Sequence, residues 1–438
     1  MPSQFDPPSG TRDFLAGEYA RREHVFSVLR SVFASYGFEP LQTPAFERVD
    51  VLLGKYGDEA DKLVFKILRR GEHEASGEAD LALRYDMTVP LARVAAAYGS
   101  QLPTPYKRYA MGSVWRADRP GRGRYREFTQ CDVDILGSAS PLADAEVMCV
   151  HHDSLAALGL SGFRLQVNSR HVLAGLLEVF SVPPELGAGV LTSLDKLDKD
   201  SPADVTAEMT GRGLSADTAA ELVATISAPD AADRIRTALK PSDIGMAGLE
   251  QVDRLVALVA AEVPPGRVAF EPRMVRGLSY YTGPIWEIAA AGVPGSVGGG
   301  GRYDHLIEQL GGPDVAATGT SMGIERLLML LPDAQGSQAG RIDVAVTVLG
   351  DDLAGASFAL AGQARAAGLR ASVYLGSSGK LGKQLRWAAD QGARWCLIYG
   401  AAERDAGTVT VRDLTAAEQE SVPAGELTGY LAARTADA

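Results

Sequence analysis

The chain has 438 residues, 46% of them hydrophobic and 22% charged, and its formal net charge is −12. That length exceeds one ordinary hydrophobic core, so we expect two or three domains. No apolar run approaches the ~18 to 20 residues of a membrane span, and the opening MPSQFDPPSGTRDF lacks the basic and apolar regions of a signal peptide. A soluble cytoplasmic protein is therefore expected. The three cysteines are scattered without a CxxC pair, which argues against a disulfide framework or a zinc site, and no resident metal site is predicted.

The first part of the chain favours a mixed helix and strand domain. An amphipathic helix is predicted from about Glu18 to Tyr36, where apolar residues recur at helical spacing. From there to about residue 136, alternating runs are mixed with helical ones, which predicts an α+β domain on a largely antiparallel sheet. We place this domain at 1–330.

The pattern changes twice further along. Residues 170–260 are rich in Ala, Leu and Asp and have almost no strand pattern, so a mostly helical insertion is predicted. Strand patterns return at 267–290 and 315–323. The stretch 331–340, LPDAQGSQAG, has the composition of a linker. Short β and α patterns alternate after it, which predicts a separate α/β domain with parallel strands at 341–438.

A basic segment stands out against the acidic total. Residues 116–126, RADRPGRGRYR, contain five arginines and one aspartate, Asp118. Local clustering matters more than net charge for phosphate binding. A solvated surface loop is the alternative interpretation.

The same segment lies in a predicted long hairpin, 108–136. Along its second strand, period two places Gln130, Asp132 and Asp134 on one face, with Cys131 and Val133 on the other. Because unpaired buried carboxylates are costly, the polar face is interpreted as a pocket floor. An exposed sheet face is the alternative.

Three further segments carry candidate site residues. In LRYDMTVP, alternation places Arg84, Asp86 and Thr88 on one face, and a carboxylate there suits an ammonium group, although Asp86 alone is no better than a surface acid. In MVRGLSYYTG, the adjacent tyrosines Tyr280 and Tyr281 would face opposite ways on a strand, so that one can pack while the other offers its hydroxyl to a substrate; a core strand is the alternative. The glycine run in GSVGGGGRYDHL permits close backbone approach but matches neither nucleotide-binding glycine motif.

Taken in this order, these segments resemble the histidyl-tRNA synthetase family of class II aminoacyl-tRNA synthetases over nearly the whole chain. YGFEPLQTPAFE, WRADRPGRGRYREF and GIERLLML are similar to the three class II motifs, the first of which forms a dimer interface. MVRGLSYYTG and GGGGRYDHL are similar to the histidine-specific signatures. The resemblance implies a class II α+β catalytic domain on an antiparallel sheet, a helical insertion, a C-terminal α/β anticodon-binding domain and a homodimer.

The resemblance also implies the substrates and the residues that meet them. The partners are L-histidine, ATP with Mg²⁺, and tRNA(His). The residues expected to hold the histidine α-amino group are Asp86, Thr88 and Gln130. The residues expected to contact the two imidazole nitrogens are Asp134 and Tyr281, and Tyr303 is expected to line the pocket. The residues expected to bind ATP are Arg116, Glu127 and Arg326, and the expected catalytic arginines are Arg276 and Arg116. The residues expected to bind tRNA are Arg119, Arg122 and Arg124, which would contact its acceptor end, and three residues of the C-terminal domain, Lys380, Lys383 and Arg386.

One departure and three rivals accompany this interpretation. The family usually has an acidic residue where this chain has Ser279. A non-catalytic paralogue, such as the regulatory subunit of ATP phosphoribosyltransferase, typically lacks the C-terminal domain, whereas this chain keeps it along with Arg116 and Arg276. A glycyl, prolyl or threonyl enzyme would not carry RGLSYYTG. A pure tRNA-binding module would not need the pocket residues.

Overall fold

The structure is a computed structural model that describes residues 5–56, 61–71, 76–198, 200–275, 280–293, 295–332 and 342–436. The chain forms two compact units, one of Met1–Asp13 and Arg22–Gln335, the other of Phe14–Arg21 and Gly336–Ala438. Apart from Leu331 and Pro332, the predicted linker lies outside the described residues. Within the described ranges, no single helix is long and apolar enough to cross a membrane. One strongly bent helix pair, Arg170–Val179 with Pro184–Leu197, meets that requirement only when its two helices are counted together.

The first unit contains eleven of the described strands. They are β1 (Glu39–Pro40), β2 (Phe46–Arg48), β3 (Lys66–Leu68), β4 (Ala79–Leu83), β5 (Tyr106–Trp115), β6 (Glu127–Leu136), β7 (Phe163–Ser169), β8 (Val268–Phe270), β9 (Pro284–Ala290), β10 (Ser296–Arg302) and β11 (Ala317–Gly323). Eight of them form one sheet in the order β1-β5-β6-β11-β10-β9-β7-β8, and a small sheet has the order β2-β4-β3. In the large sheet, only the outer pairs β1·β5 and β7·β8 are parallel. The expected largely antiparallel sheet is confirmed.

The α-helices begin with α1 (Ala16–Ser35), α2 (Val49–Leu52), α3 (Thr88–Tyr98) and α4 (Pro141–Ala157). The predicted insertion contains α5 (Arg170–Val179), α6 (Pro184–Leu194), α7 (Pro202–Gly211), α8 (Ala216–Ser227), α9 (Ala231–Ala238) and α10 (Asp243–Ala260), and α11 (Ile324–Leu330) follows β11. The described part of 170–260 has no strand, as predicted. It does not form a core of its own, because buried residues of α5 and α10 share one hydrophobic cluster with β6 and α4.

The predicted hairpin is β5 and β6, and its two faces separate as expected. Cys131, Val133 and Ile135 are buried in the main hydrophobic cluster, while Gln130 and Asp134 line a cavity on the opposite face. The register pairs Arg108 with Asp134 across the hairpin, and β11 continues this row with Gly319. The pocket-floor interpretation of this face is confirmed.

The extended interpretation of LRYDMTVP is wrong. Strand β4 ends at Leu83, and helix α3 begins at Thr88, so the residues between them are irregular and all four are buried. The alternation breaks because Asp86 turns back and accepts a hydrogen bond from the Val89 amide (3.1 Å), which caps the first turn of α3. The Asp86 carboxylate therefore points inward because it binds the Val89 amide, and not because of strand alternation as predicted.

The tyrosine pair also lies outside a strand. Tyr280 and Tyr281 precede β9, which begins at Pro284, and both line the cavity. Their ring centroids are 5.0 Å apart with planes at 67°. Tyr280 is buried in a hydrophobic cluster, whereas Tyr281 is half-buried, so the two rings differ in burial as expected although the segment is not a strand. Arg276 and Ser279 lie outside the described residues.

The glycine run forms β10, in the middle of the sheet between β9 and β11. A Cβ at Gly300 would overlap the carbonyl oxygen of Gly319 on the neighbouring strand. A side chain at this position has no space, so the glycines bring the backbone of β10 directly to the cavity, which Gly298, Gly299 and Gly300 line.

The second unit is α/β, but its sheet is mixed rather than parallel. Its strands are β12 (Val344–Val346), β13 (Ala371–Val373), β14 (Trp395–Ile398), β15 (Thr408–Asp413) and β16 (Glu418–Pro423), and its helices are α12 (Ala354–Ala366), α13 (Leu381–Asp390), α14 (Ala401–Ala406) and α15 (Leu427–Ala436). Strands β13, β12 and β14 run parallel, whereas β15 and β16 form an antiparallel hairpin on β14. This hairpin was not predicted from the sequence, because the polar strand EQESVP is mostly exposed and has little apolar alternation.

Candidate active site

A cavity of about 1020 Å³ lies on the face of the sheet formed by β6, β11 and β10. Its volume is at the upper end of the range usual for small-molecule sites. Polar side chains reach it from β6, from the segment before α3, from the tyrosine pair and from α11. Most residues proposed from sequence for histidine and ATP therefore line a single cavity.

Asp134 lies at the centre of a buried charged group. Nη2 of Arg108 lies 2.8 Å from Oδ2 of Asp134, and the Tyr303 hydroxyl donates a short hydrogen bond to Oδ1. Burial raises the pKa of Asp134, and Arg108 and Tyr303 act in the opposite direction by stabilising the carboxylate. Gly319 lies opposite in the register, and a Cβ there would overlap Oδ1 of Asp134.

Tyr281 offers a hydroxyl group to the same cavity. It is half-buried, and burial and the nearby carboxylates raise its pKa well above that of an ordinary tyrosine. The hydroxyl therefore stays protonated at neutral pH. A neutral hydroxyl can either donate to an imidazole nitrogen or accept from one.

Asp86 is held in place by three donors. Its Oδ1 accepts from the Tyr56 hydroxyl (3.1 Å) and from the Val89 amide, and its Oδ2 accepts from the Tyr280 hydroxyl (3.3 Å). Burial raises the pKa of Asp86, while the Val89 amide and the charge of Arg116 favour its ionised form. The half-buried Thr88 lines the cavity beside it.

Three arginines line another part of the cavity. Nε of Arg116 donates to the Tyr85 carbonyl (3.2 Å), and the guanidinium lies 4.2 Å from the centroid of the Tyr85 ring and 5.1 Å from that of Phe128. Arg326 donates to the Ser296 carbonyl from the first turn of α11. Arg124 is the third. Fixed guanidinium groups around an open space suit an anionic ligand such as a polyphosphate.

Not every proposed residue reaches the cavity. Glu127 is exposed at the start of β6 and does not line it; in the period-two pattern it falls on the face opposite Phe128 and Gln130. Arg119 and Arg122 are exposed in the hairpin loop. In the second unit, Lys380, Lys383 and Arg386 are exposed around the first turns of α13. The proposed roles of these residues remain predictions.

Known proteins resemble both units. A family model described as histidyl-tRNA synthetase matches residues 10–327, and one described as an anticodon binding domain matches 343–434. A protein of Gloeobacter violaceus named histidine–tRNA ligase is 40% identical, over 95% of this chain and 97% of its own length. One of Ruegeria pomeroyi with the same name is 38% identical, over 93% and 89%.

The chain belongs to the histidyl-tRNA synthetase family.

Solved structures agree with this membership. The crystal structure of histidyl-tRNA synthetase from a Nostoc species matches with a TM-score of 0.77 at 28% identity, over 99% of this chain and 100% of that one. A Bacillus halodurans structure described as an ATP phosphoribosyltransferase regulatory subunit/histidyl-tRNA synthetase has a TM-score of 0.74 at 22% identity, over 88% and 97%. At that identity the second match shows the fold alone.

Several residues of this synthetase site were missed from sequence. Arg108 could have been predicted from the sequence, because the predicted hairpin 108–136 places it opposite Asp134 once the register is counted. No sequence pattern indicated Tyr56 as a site residue, since only the packing of its loop brings it to Asp86. Arg212, from the helical segment, also lines the cavity, and nothing in its local sequence distinguishes it from a surface arginine.

Proposed function

We propose that this chain is a histidine–tRNA ligase. It activates L-histidine with ATP, forming histidyl-adenylate and releasing pyrophosphate, and then transfers histidine to the 3′-terminal ribose of tRNA(His). The observation that carries the proposal is the convergence of Asp134, Tyr281, Tyr303 and Asp86 on one cavity whose other part is lined by arginines. The family membership supports the same activity.

Histidine recognition divides between the two ends of the substrate. Asp134 accepts a hydrogen bond from one imidazole N–H, and the neutral Tyr281 hydroxyl meets the other nitrogen, while Tyr303 keeps Asp134 in place. Asp86, Thr88 and Gln130 hold the α-ammonium group. A site that pairs both imidazole nitrogens rejects an amino acid without them, because its buried polar groups would be left unpaired.

Activation needs alignment and charge rather than a nucleophilic side chain. The histidine carboxylate attacks the α-phosphorus, the bond to the bridging oxygen breaks, and pyrophosphate leaves with the electron pair. Arg116 meets the α-phosphate and Arg326 the ATP tail, and both guanidiniums are held by main-chain carbonyls before substrate arrives. Such preorganised charges lower the barrier. Arg276, outside the described residues, is proposed as the catalytic arginine, and Glu127 as an adenine or loop contact.

Mg²⁺ is proposed to accompany ATP. This ion is typically held by one or two carboxylates together with the phosphates of the substrate. Glu287 on β9 fits that need, because it is a half-buried carboxylate that lines the cavity beside Gly299. When bound there, the ion would neutralise charge on the phosphate oxygens.

The second step and tRNA binding are assigned to exposed basic residues. The terminal ribose hydroxyl of tRNA attacks the carbonyl carbon of the adenylate, and AMP leaves. Arg119, Arg122 and Arg124 are proposed to meet the acceptor end, and Lys380, Lys383 and Arg386 the anticodon arm. The match of 343–434 to an anticodon-binding family supports the latter. We also propose a homodimer in the cytoplasm, to be checked by light scattering and by fractionation.

The deciding experiment is ATP–pyrophosphate exchange across the twenty amino acids, followed by charging of tRNA(His). Histidine should support exchange about 10⁴-fold better than the other amino acids. No histidine-dependent exchange would overturn the proposal and favour a non-catalytic regulatory paralogue. Replacing Lys380, Lys383 and Arg386 with Ala should weaken charging while leaving exchange intact; an equal loss of both would remove the tRNA role of that patch.

A further inference from the structure

Asp132 is a buried carboxylate without a hydrogen bond of its own among the described residues, although the charge of Arg108 favours its ionised form. It is 1% exposed, and neither of its oxygens has a hydrogen-bond partner of good geometry among the described residues. The neighbouring guanidinium of Arg108 makes its ion pair with Asp134 instead. Since burying a charge without a partner is strongly unfavourable, the position of Asp132 calls for a compensating cation or donor.

The location of Asp132 relates it to the histidine end of the cavity. It lies on β6 between Gln130 and Asp134, on the same face, and both of these neighbours line the cavity. Across the β6–β11 pair its register partner is Ser321, which also lines the cavity. The carboxylate therefore lies just beneath the cavity floor.

Ser321 connects Asp132 to Gln130. Its Oγ accepts a hydrogen bond from Nε2 of Gln130 (2.9 Å), so its own proton is available for an acceptor. Asp132 is opposite, and the Ser321 hydroxyl acts to lower the pKa of that carboxyl. A Ser321 hydroxyl that turns its proton toward Asp132 keeps its oxygen for the Gln130 amide N–H, which leaves Oε1 turned away from Ser321. Oε1 itself has no partner among the described residues.

The substrate group that satisfies this arrangement is an ammonium. An α-ammonium has three N–H donors and one positive charge. Asp86 already accepts from three protein donors, which leaves it about one acceptor site for the ammonium, whereas Gln130 Oε1 and the Asp132 carboxylate have no donor of good geometry among the described residues. Burial raises the pKa of Asp132 to about 7, and a cation placed above it would favour its ionised form.

We infer that Asp132 is a positioning residue for the α-ammonium group of the histidine substrate: its carboxylate supplies negative charge beneath that group and, through Ser321, turns the Gln130 carbonyl toward it. This inference rests on the proposed function and extends it by one residue. It predicts that Asp132 discriminates between ligands with and without an α-amino group.

The test compares three ligands on wild-type protein and on Asp132→Asn. L-Histidine is assayed as the exchange substrate, and L-histidinol and imidazole-4-propionic acid as competitive inhibitors. Histidinol keeps the ammonium, and imidazolepropionate lacks it. In Asp132→Asn, we expect the KM for histidine and the Ki for histidinol to rise about tenfold or more, with imidazolepropionate changed less than about twofold. Asp134→Asn, at the imidazole end, is the contrast variant and should weaken all three.

The outcomes separate the inference from its alternatives. Equal weakening of all three ligands by Asp132→Asn would indicate a structural role and overturn the inference, as would unchanged binding of histidinol. The melting temperature of Asp132→Asn shows whether the variant is folded, and Asp132→Glu, which keeps the charge, should recover part of the histidinol affinity. Absence of histidine-dependent exchange in the wild type would instead overturn the proposed function itself.

Discussion

The Arg108–Asp134 ion pair allows a quantitative test of how the imidazole end is held. Arg108 is fully buried, and its Nη2 lies 2.8 Å from Asp134 and 3.1 Å from the Met87 carbonyl. Arg108→Met keeps most of the side-chain volume and removes the charge, leaving Asp134 with the Tyr303 hydroxyl. Removing one partner of a buried pair costs about 3–5 kcal/mol of unfolding free energy. At an m-value of about 3 kcal/mol/M, the urea midpoint should fall by about 1 M to 1.7 M.

The pH dependence gives this prediction its sign. Without Arg108, the folded-state pKa of Asp134 rises further above its unfolded value, because burial is no longer opposed by the guanidinium. The folded variant then holds a proton that the unfolded chain has released, so its stability falls as pH rises above about 4. The loss relative to wild type should be larger at pH 8 than at pH 5.5.

The assay is urea unfolding of the ligand-free full chain, followed by tryptophan fluorescence at both pH values. Trp286 is buried and lines the cavity, so its emission reports on this unit. Arg108→Met/Asp134→Asn should regain part of the lost stability, since no buried charge remains unpaired, but it should not regain histidine-dependent exchange. A midpoint loss that is the same at both pH values, or none at all, would refute this reasoning.

The remaining predictions concern pH, space and catalysis. The pKa of Asp132 is raised to about 7, so its ionisation removes stability as pH rises from about 4 to 7. Burial lowers the pKa of His151 to about 3, so the part of the unfolding free energy that depends on this neutral side chain is lost as pH falls from about 6.5 toward 3. Between about pH 4 and 7, the melting temperature should therefore rise more steeply with pH for Asp132→Asn than for wild type. The same pH dependence in both proteins would contradict these assignments. Gly319→Ala should raise the KM for histidine at least tenfold, because its Cβ displaces the carboxylate opposite, whereas Gly121→Ala, which meets nothing within 4 Å, should behave as wild type. Arg276→Ala should reduce single-turnover adenylate formation far more than ATP affinity, since its proposed benefit arises in the transition state; equal losses would contradict that role.

The parts of the fold that sequence predicted are those where local pattern and tertiary environment agree. In the β5–β6 hairpin, the alternation of Gln130, Asp132 and Asp134 with Cys131 and Val133 matches a sheet with one face in the core and one on a cavity. Period two was a reliable guide there, because both strands are long and fully paired.

The errors arose where side-chain contacts from distant segments override local pattern. Asp86 caps a helix and receives two tyrosine hydroxyls, one of them from about 190 residues further along the chain. No local alternation could reveal that Tyr56 and Tyr280 converge on it. The parallel arrangement expected for the second unit failed for a related reason, because the partner of β15 is a polar, exposed edge strand.

The glycine strand β10 has a consequence for how the site can change over time. Where main-chain atoms of β10 line the cavity, there is no rotamer to select on binding and no side chain that a substitution could shorten or lengthen. That part of the binding surface is fixed by the pairing of three strands. A change of ligand preference would have to come from substitutions among the side chains that line the rest of the cavity, while the β10 surface stays constant.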